Sequence, residues 1–217
     1  TLKGTVTLDN TYGAASGAPA SGYITSSNAP TLASALRGVD VGSAINANGG
    51  ITLKGAAIAG YYSVDVTAAI ASSGGSINIS GAGTTYSVHS TAAGTINATL
   101  GSVTINGTST TGKSVELLAL VAAKTNITIT GDASGSASTN VYLSAMTINA
   151  GGGDIIVTAN DVSTGSNTGI YQTGAITNRA VGSSISFISD SIINQTGAIS
   201  LVANTSGTAA NIIYDTT

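Results

Sequence analysis

Apolar and polar residues alternate along this chain in short bursts that keep returning. Pairs of the form apolar-x-apolar occur at Ile51 and Leu53, Ile77 and Ile79, Val103 and Ile105, Ile127 and Ile129, and Ile155 and Val157, with starts about 26 residues apart. A second alternating run follows each by roughly 11 to 15 residues, at Val64 and Val66, Val88, Val115 and Leu117, Val141 and Leu143, and Ile170. A third, shorter apolar position closes each unit at Ile45, Ile70, Ile96, Val121, Ile148 and Ile176. Period-two alternation belongs to strands with one buried face, so each unit predicts three short strands.

Three apolar stations about every 25 to 28 residues are what a chain needs if each unit is one triangular coil stacked on the last. Equivalent strands of successive coils then pair in parallel about 4.8 Å apart, with apolar columns inside and polar columns outside. The predicted fold is all-β, a parallel β-helix forming a single domain over residues 1–217. TINA at 95–98 and 147–150, and AINA at 44–47, mark one corner of the coil: the Ile points inward, and Gly or Asn nearby suits a left-handed turn. SVELLALVAAK at 114–124 has good helical propensity, but its place in the register predicts strands.

Two stretches, near 9–40 and 177–198, predict irregular coils. TLKG at 1–4 returns at 52–55, a separation that would hold two coils, with a short helix over LASALR at 32–37 between them. Ile155 to Ile199 predicts two short coils or one with an insertion. The chain opens in a first-station strand and stops near a second-station strand at Ile213 and Tyr214. That fits an internal slice of a longer solenoid, or a subunit completed by its neighbour.

Composition narrows the function classes. The chain is 42% apolar but only 7% charged, against about 25% in an ordinary soluble domain, so Ser, Thr, Asn and backbone must form the polar surface, as on many secreted proteins. A net charge of −3 with six scattered Lys and Arg offers no stripe for a phosphate backbone, which sets nucleic acid aside as a partner. Without cysteine there is no disulfide scaffold, thiolate metal site or cysteine nucleophile. The longest apolar run, Leu117 to Ala123, is far short of the roughly 18 to 20 residues of a membrane span.

The runs GSVTING, GGSINISG, GDIIVTAN, GSSISFISD and TGAISLVANTSG resemble the repeat region of filamentous haemagglutinin-like exoproteins, the large bacterial adhesins exported by two-partner secretion. The likeness covers most of the chain. It implies a right-handed β-helix shaft, secreted and extracellular or at the cell surface. The Asn-Pro-Asn signature of that family's secretion domain is missing, so the chain resembles the shaft and not the export domain.

Chemistry is sparse. There is no GxSxG, HExxH or GxxxxGK[ST] motif, and GGGD at 151–154 precedes a strand rather than a helix, so corner geometry explains it better than a phosphate cradle. Eight Asp and one Glu have no Arg beside them on matching strands, and Lys54, Lys113, Lys124 and Arg179 read as solvated corner charges. No catalytic residue is assigned. First-station outward positions Thr52, Asn78, Thr104, Thr128, Ile156 and Ser186 read as hydroxyls that solubilise a sheet with few charges, rather than as an ice-binding ladder.

One column does carry titratable groups. Aligning VDV, VDV, VHS, VEL and VYL puts Asp40, Asp65, His89, Glu116 and Tyr142 in line, pointing outward, with Tyr171 following. Asp40 and Asp65 are candidate oxygen ligands for calcium, the one candidate cofactor. Tyr142 and Tyr171 are candidates for stacking on sugars or on each other. The sequence thus predicts a structural or adhesive shaft that does no chemistry of its own and meets glycans or proteins of host or bacterial surfaces. A self-assembling filament subunit joined end to end by strand pairing is the alternative. A polysaccharide-active β-helix enzyme ranks third.

Overall fold

The computed structural model describes residues 6–10, 22–23, 38–57, 60–135, 139–144, 147–150, 152–161, 168–179, 182–201 and 211–216. These form a β-solenoid of about six turns in which every strand pairing is parallel. Among the described residues there is no helix, and so none long and apolar enough to cross a membrane.

Each predicted station is one sheet. The first holds β1 (Val6–Asn10), β5 (Ile51–Ala57), β8 (Ile77–Gly83), β11 (Val103–Ser109), β14 (Ile127–Ala133), β17 (Ile155–Asp161), β20 (Ser184–Ser189) and β23 (Asn211–Thr216), in that order. The second runs through β2 (Gly22–Tyr23), β3 (Val39–Val41), β6 (Val64–Val66), β9 (Val88–Ser90), β12 (Val115–Leu117), β15 (Thr139–Leu143), β18 (Thr168–Gln172) and β21 (Ile192–Gln195). The third contains β4 (Ile45–Ala47), β7 (Ile70–Ser72), β10 (Ile96–Ala98), β13 (Val121–Ala123), β16 (Thr147–Ala150), β19 (Ala175–Asn178) and β22 (Ile199–Leu201).

Register follows the apolar pattern because a one-residue slip would turn each apolar set out to solvent. Ile51, Ile77, Val103, Ile127, Ile155 and Ile185 form one inward column, and Leu53, Ile79, Ile105, Ile129, Val157 and Phe187 the next; all are buried. Each such side chain contributes about 1.5–3 kcal/mol by leaving water. The outward line from Thr52 to Ser186 pairs in the predicted register. SVELLALVAAK supplies β12 and β13, so register prevails there over helical propensity.

The ends depart from the sequence reading. VTLDN, not TLKG, pairs with ITLKG: Val6 faces Ile51 and Leu8 faces Leu53. Two apolar anchors line up this way, where TLKG on TLKG would align one. β1 is therefore the immediate neighbour of β5 in its sheet, not a strand two coils away. The proposed helix at 32–37 and residues 1–4 lie outside the described residues. Near the other end, SISFIS is the first-station strand β20, IINQ is β21 and Ile199 opens the third-station strand β22. The chain from Ile155 to Ile199 thus makes strands at all three stations twice, with a register shift between Thr168 and Ile170 where β18 pairs with β21. Ile213 and Tyr214 belong to β23 in the first-station sheet, not to a second station.

Glycines at the TINA corner serve a purpose different from the predicted left-handed turn. Among the described glycines only Gly60 and Gly182 have positive φ. At the corner the constraint is close approach of stacked backbones: a Cβ on Gly75 would sit 2.5 Å from Gly50 N, and one on Gly101 2.4 Å from Gly75 O.

Candidate functional site

The predicted column forms on the second-station sheet. Asp40 pairs in register with Asp65, Asp65 with His89, His89 with Glu116, Glu116 with Tyr142 and Tyr142 with Tyr171. Each is the residue between two buried positions, apolar on both sides except for Ser90 after His89 and Gln172 after Tyr171, which turns it away from the core.

Pointing away from the core does not expose it. Asp40 is 8% exposed, Asp65 5% and His89 8%, so the expectation of an open outward column is corrected for these three. Part of the cover over His89 comes from a second column. Tyr62, Tyr86 and Lys113 each stand two residues before a second-station strand, at the same corner of successive coils. The Tyr62 ring stacks on His89 with centroids 4.2 Å apart and planes 15° apart, and lies 5.0 Å from the Tyr86 ring.

Polar contacts continue the line. His89 Nδ1 is 2.7 Å from Asp65 Oδ1; with Asp65 ionised, the ring nitrogen donates. The Tyr62 hydroxyl donates to Glu116 Oε2 at 3.5 Å, and Lys113 Nζ donates to Glu116 Oε1 at 2.5 Å. The same ammonium sits over the Tyr142 ring, 4.4 Å from its centroid, and Tyr142 stacks on Tyr171 at 5.4 Å and 11°. Lys113 is thus held by a carboxylate and a ring rather than being the solvated corner charge that the sequence suggests. Lys54, also expected at a corner, stands within β5, exposed.

Electrostatics follow from this crowding. Burial, then the nearby Glu116 and Asp65 carboxylates, push the Tyr62 hydroxyl from 10.0 up to about 12, since a phenolate there would lose water and face negative charge. Asp65 and His89 are both largely covered and meet through the 2.7 Å contact, so each gains a hydrogen-bond partner for the water it loses.

The arrangement can bind less than the bare column promised. A cation between Asp40 and Asp65 would have to compete with the His89 ring for the Asp65 carboxylate. No group of three or more His, Cys, Asp or Glu suited to a metal occurs among the described residues. Stacking a sugar on Tyr142 would have to compete with Lys113 and Tyr171 for its ring faces. The Asp65–His89 pair has the form that orients an imidazole in acid–base chemistry, but no hydroxyl among the described residues hydrogen-bonds to that imidazole. What the column visibly does is cross-link successive coils along one face.

Sequence reasoning found the column's members and order. It missed Tyr62, Tyr86 and Lys113, although their shared offset before each VDV-type strand was a usable signal. Comparison of the chain with protein families, with curated proteins and with solved structures gives no match.

Proposed function

We propose that this chain is part of the structural or adhesive shaft of a secreted bacterial surface exoprotein, and that it does no chemistry of its own. The observation that carries this reading is the continuous parallel pairing of the first-station sheet from β1 to β23 around one apolar core. The titratable side chains of the second-station face are largely engaged with one another, as suits a stiff rod that presents side chains along its length. The low charge and the resemblance in its repeats support a place outside the cell, where surface glycans or proteins would be its partners.

A self-assembling filament subunit is the second reading, favoured by β23. That strand pairs with β20 on one edge and with no described strand on the other, and its Ile212, Ile213 and Tyr214 are 42%, 44% and 48% exposed. Intact-mass measurement of the native material separates the two. A protein of roughly a thousand residues or more supports the shaft, and a mature chain of about this length supports the filament. Reproducible product release from a polysaccharide panel, abolished by a carboxylate substitution, would overturn both in favour of an enzyme.

A further inference from the structure

On the third-station face, away from the tyrosine column, the chain forms a shallow groove of about 270 Å³ whose lining includes Asn97, Thr99, Ala122, Lys124 and Arg179. Lys124 follows β13 and Arg179 follows β19, with β16 between them in the sheet. Their backbones therefore lie two strand spacings apart, about 9.6 Å, and both residues line the same groove. The coil between them contributes Gly152 to this corner, where a Cβ would come within 2.9 Å of Lys124 O, so the backbone there runs close beneath the lysine. Lys124 itself is held in place by its N–H, shared between Ala98 O at 3.0 Å and Gly101 O at 3.1 Å.

Four of the chain's six Lys and Arg are described, and they divide by partner. Lys113 is engaged by Glu116, whereas neither Lys124 nor Arg179 has an ion pair among the described residues. Among the described residues the groove lining contains no carboxylate, and Asn97 and Thr99 add an amide and a hydroxyl that can donate. Two uncompensated cations beside neutral donors, on a chain whose net charge of −3 repels anions elsewhere, make a local anion trap.

We propose that this groove binds a tetrahedral oxyanion, a phosphate or sulfate group, with the Arg179 guanidinium giving forked hydrogen bonds and the Lys124 ammonium a point charge. Its openness suits an anionic group carried on a larger extended ligand as well as a free ion. This inference goes beyond the shaft reading, and its failure would leave that reading untouched.

The test is an amide NMR titration of the intact chain at low ionic strength with inorganic phosphate, inorganic sulfate and, as a control, chloride at matched ionic strength. Parallel titrations with a phosphorylated and a sulfated monosaccharide distinguish the two sources of the group. Saturable shifts at Asn97, Thr99 and Lys124 with either oxyanion are expected. Lys124→Ala and Arg179→Ala should each weaken binding at least about tenfold with circular dichroism unchanged, and Lys54→Ala should leave it within about twofold. Shifts that chloride reproduces, absence of saturation, or an equal loss in Lys54→Ala would each overturn the proposal.

Discussion

At Asp65 a carboxylate that is almost fully covered survives because His89 Nδ1 lies 2.7 Å away and Tyr62 lies over the imidazole. Removing the imidazole leaves a buried charge without that partner, so His89→Ala should cost about 3 kcal/mol in urea unfolding. Asp65→Ala in the same background should recover part of that loss, and additive losses would show that the pair is not coupled. Tyr62 gives the pH counterpart. Its hydroxyl keeps its proton in the folded chain up to about 12, while the unfolded chain releases it near 10, so the folded state binds the extra proton in that window. The contribution is fully present below pH 10 and is lost as the pH rises from about 10 to about 12. Absorbance of the phenolate near 295 nm should therefore lack its highest-pH step in Tyr62→Phe, and the variant's stability should decline less over the same range. The sequence made the column legible because VDV, VHS and VEL keep strict register. Its burial was not legible, because part of the cover over His89 comes from Tyr62, which precedes its strand and lies outside the apolar alternation.

Between the first and second stations, elements meet through complementary small and polar residues. Gly55, Gly81, Gly107 and Gly131 share one inward column, continued by Ala159 and Ser189. Against it pack Ser63, Ser87 and Ser114, each just before a second-station strand, and Asn140 near the start of β15, all fully buried. A Cβ on Gly107 would lie 1.9 Å from Ser114 O, so no larger residue fits there. Three of these corner side chains also donate to the next coil: Ser63 to Ala82 O at 2.6 Å, Ser114 to Asp132 O at 2.7 Å and Asn140 to Asn160 O at 2.8 Å. At β18 the partners exchange. Gly169 takes the corner position, and a Cβ on it would meet Ser189 Oγ at 1.9 Å. Gly169→Ala should accordingly lower stability by about 1–3 kcal/mol, and adding Ser189→Gly should restore part of it, read as melting temperatures. If the second substitution only adds to the damage, the exchange is not what sets this corner. From sequence the glycines near the TINA corner read as turn formers, since composition cannot tell a left-handed φ from a close approach, and those of this column drew no reading at all. The same limit misplaced the first strand: the repeated letters TLKG outweighed the apolar spacing of Val6 and Leu8, which decides the actual pairing.

A solenoid is held together by neighbour-to-neighbour contacts, so its stability scales with the number of coils, and its terminal strands face either another coil or water. Among the described residues, β23 is an outermost strand of the first-station sheet. Ile212 and Tyr214 continue the inward columns of Ile185 and Phe187, with Tyr214 stacked on Phe187 at 5.4 Å, yet both stay over two-fifths exposed. Another coil laid on this edge would extend three parallel ladders and bury that apolar surface, and 7% charged residues offer little repulsion against it. The 217-residue chain should therefore associate in solution, with sedimentation velocity showing elongated species that grow with concentration. Ile212→Lys with Tyr214→Lys tests the edge specifically. The added ammonium groups can reach water in the single chain but would have to be buried beneath an incoming coil. The double variant should keep its strand-rich circular dichroism and sediment as a monomer, its dissociation constant raised at least about tenfold. Oligomers of unchanged stoichiometry in that variant would move the contact to another face, and a wild-type chain that stays monomeric at high concentration would remove the filament reading altogether.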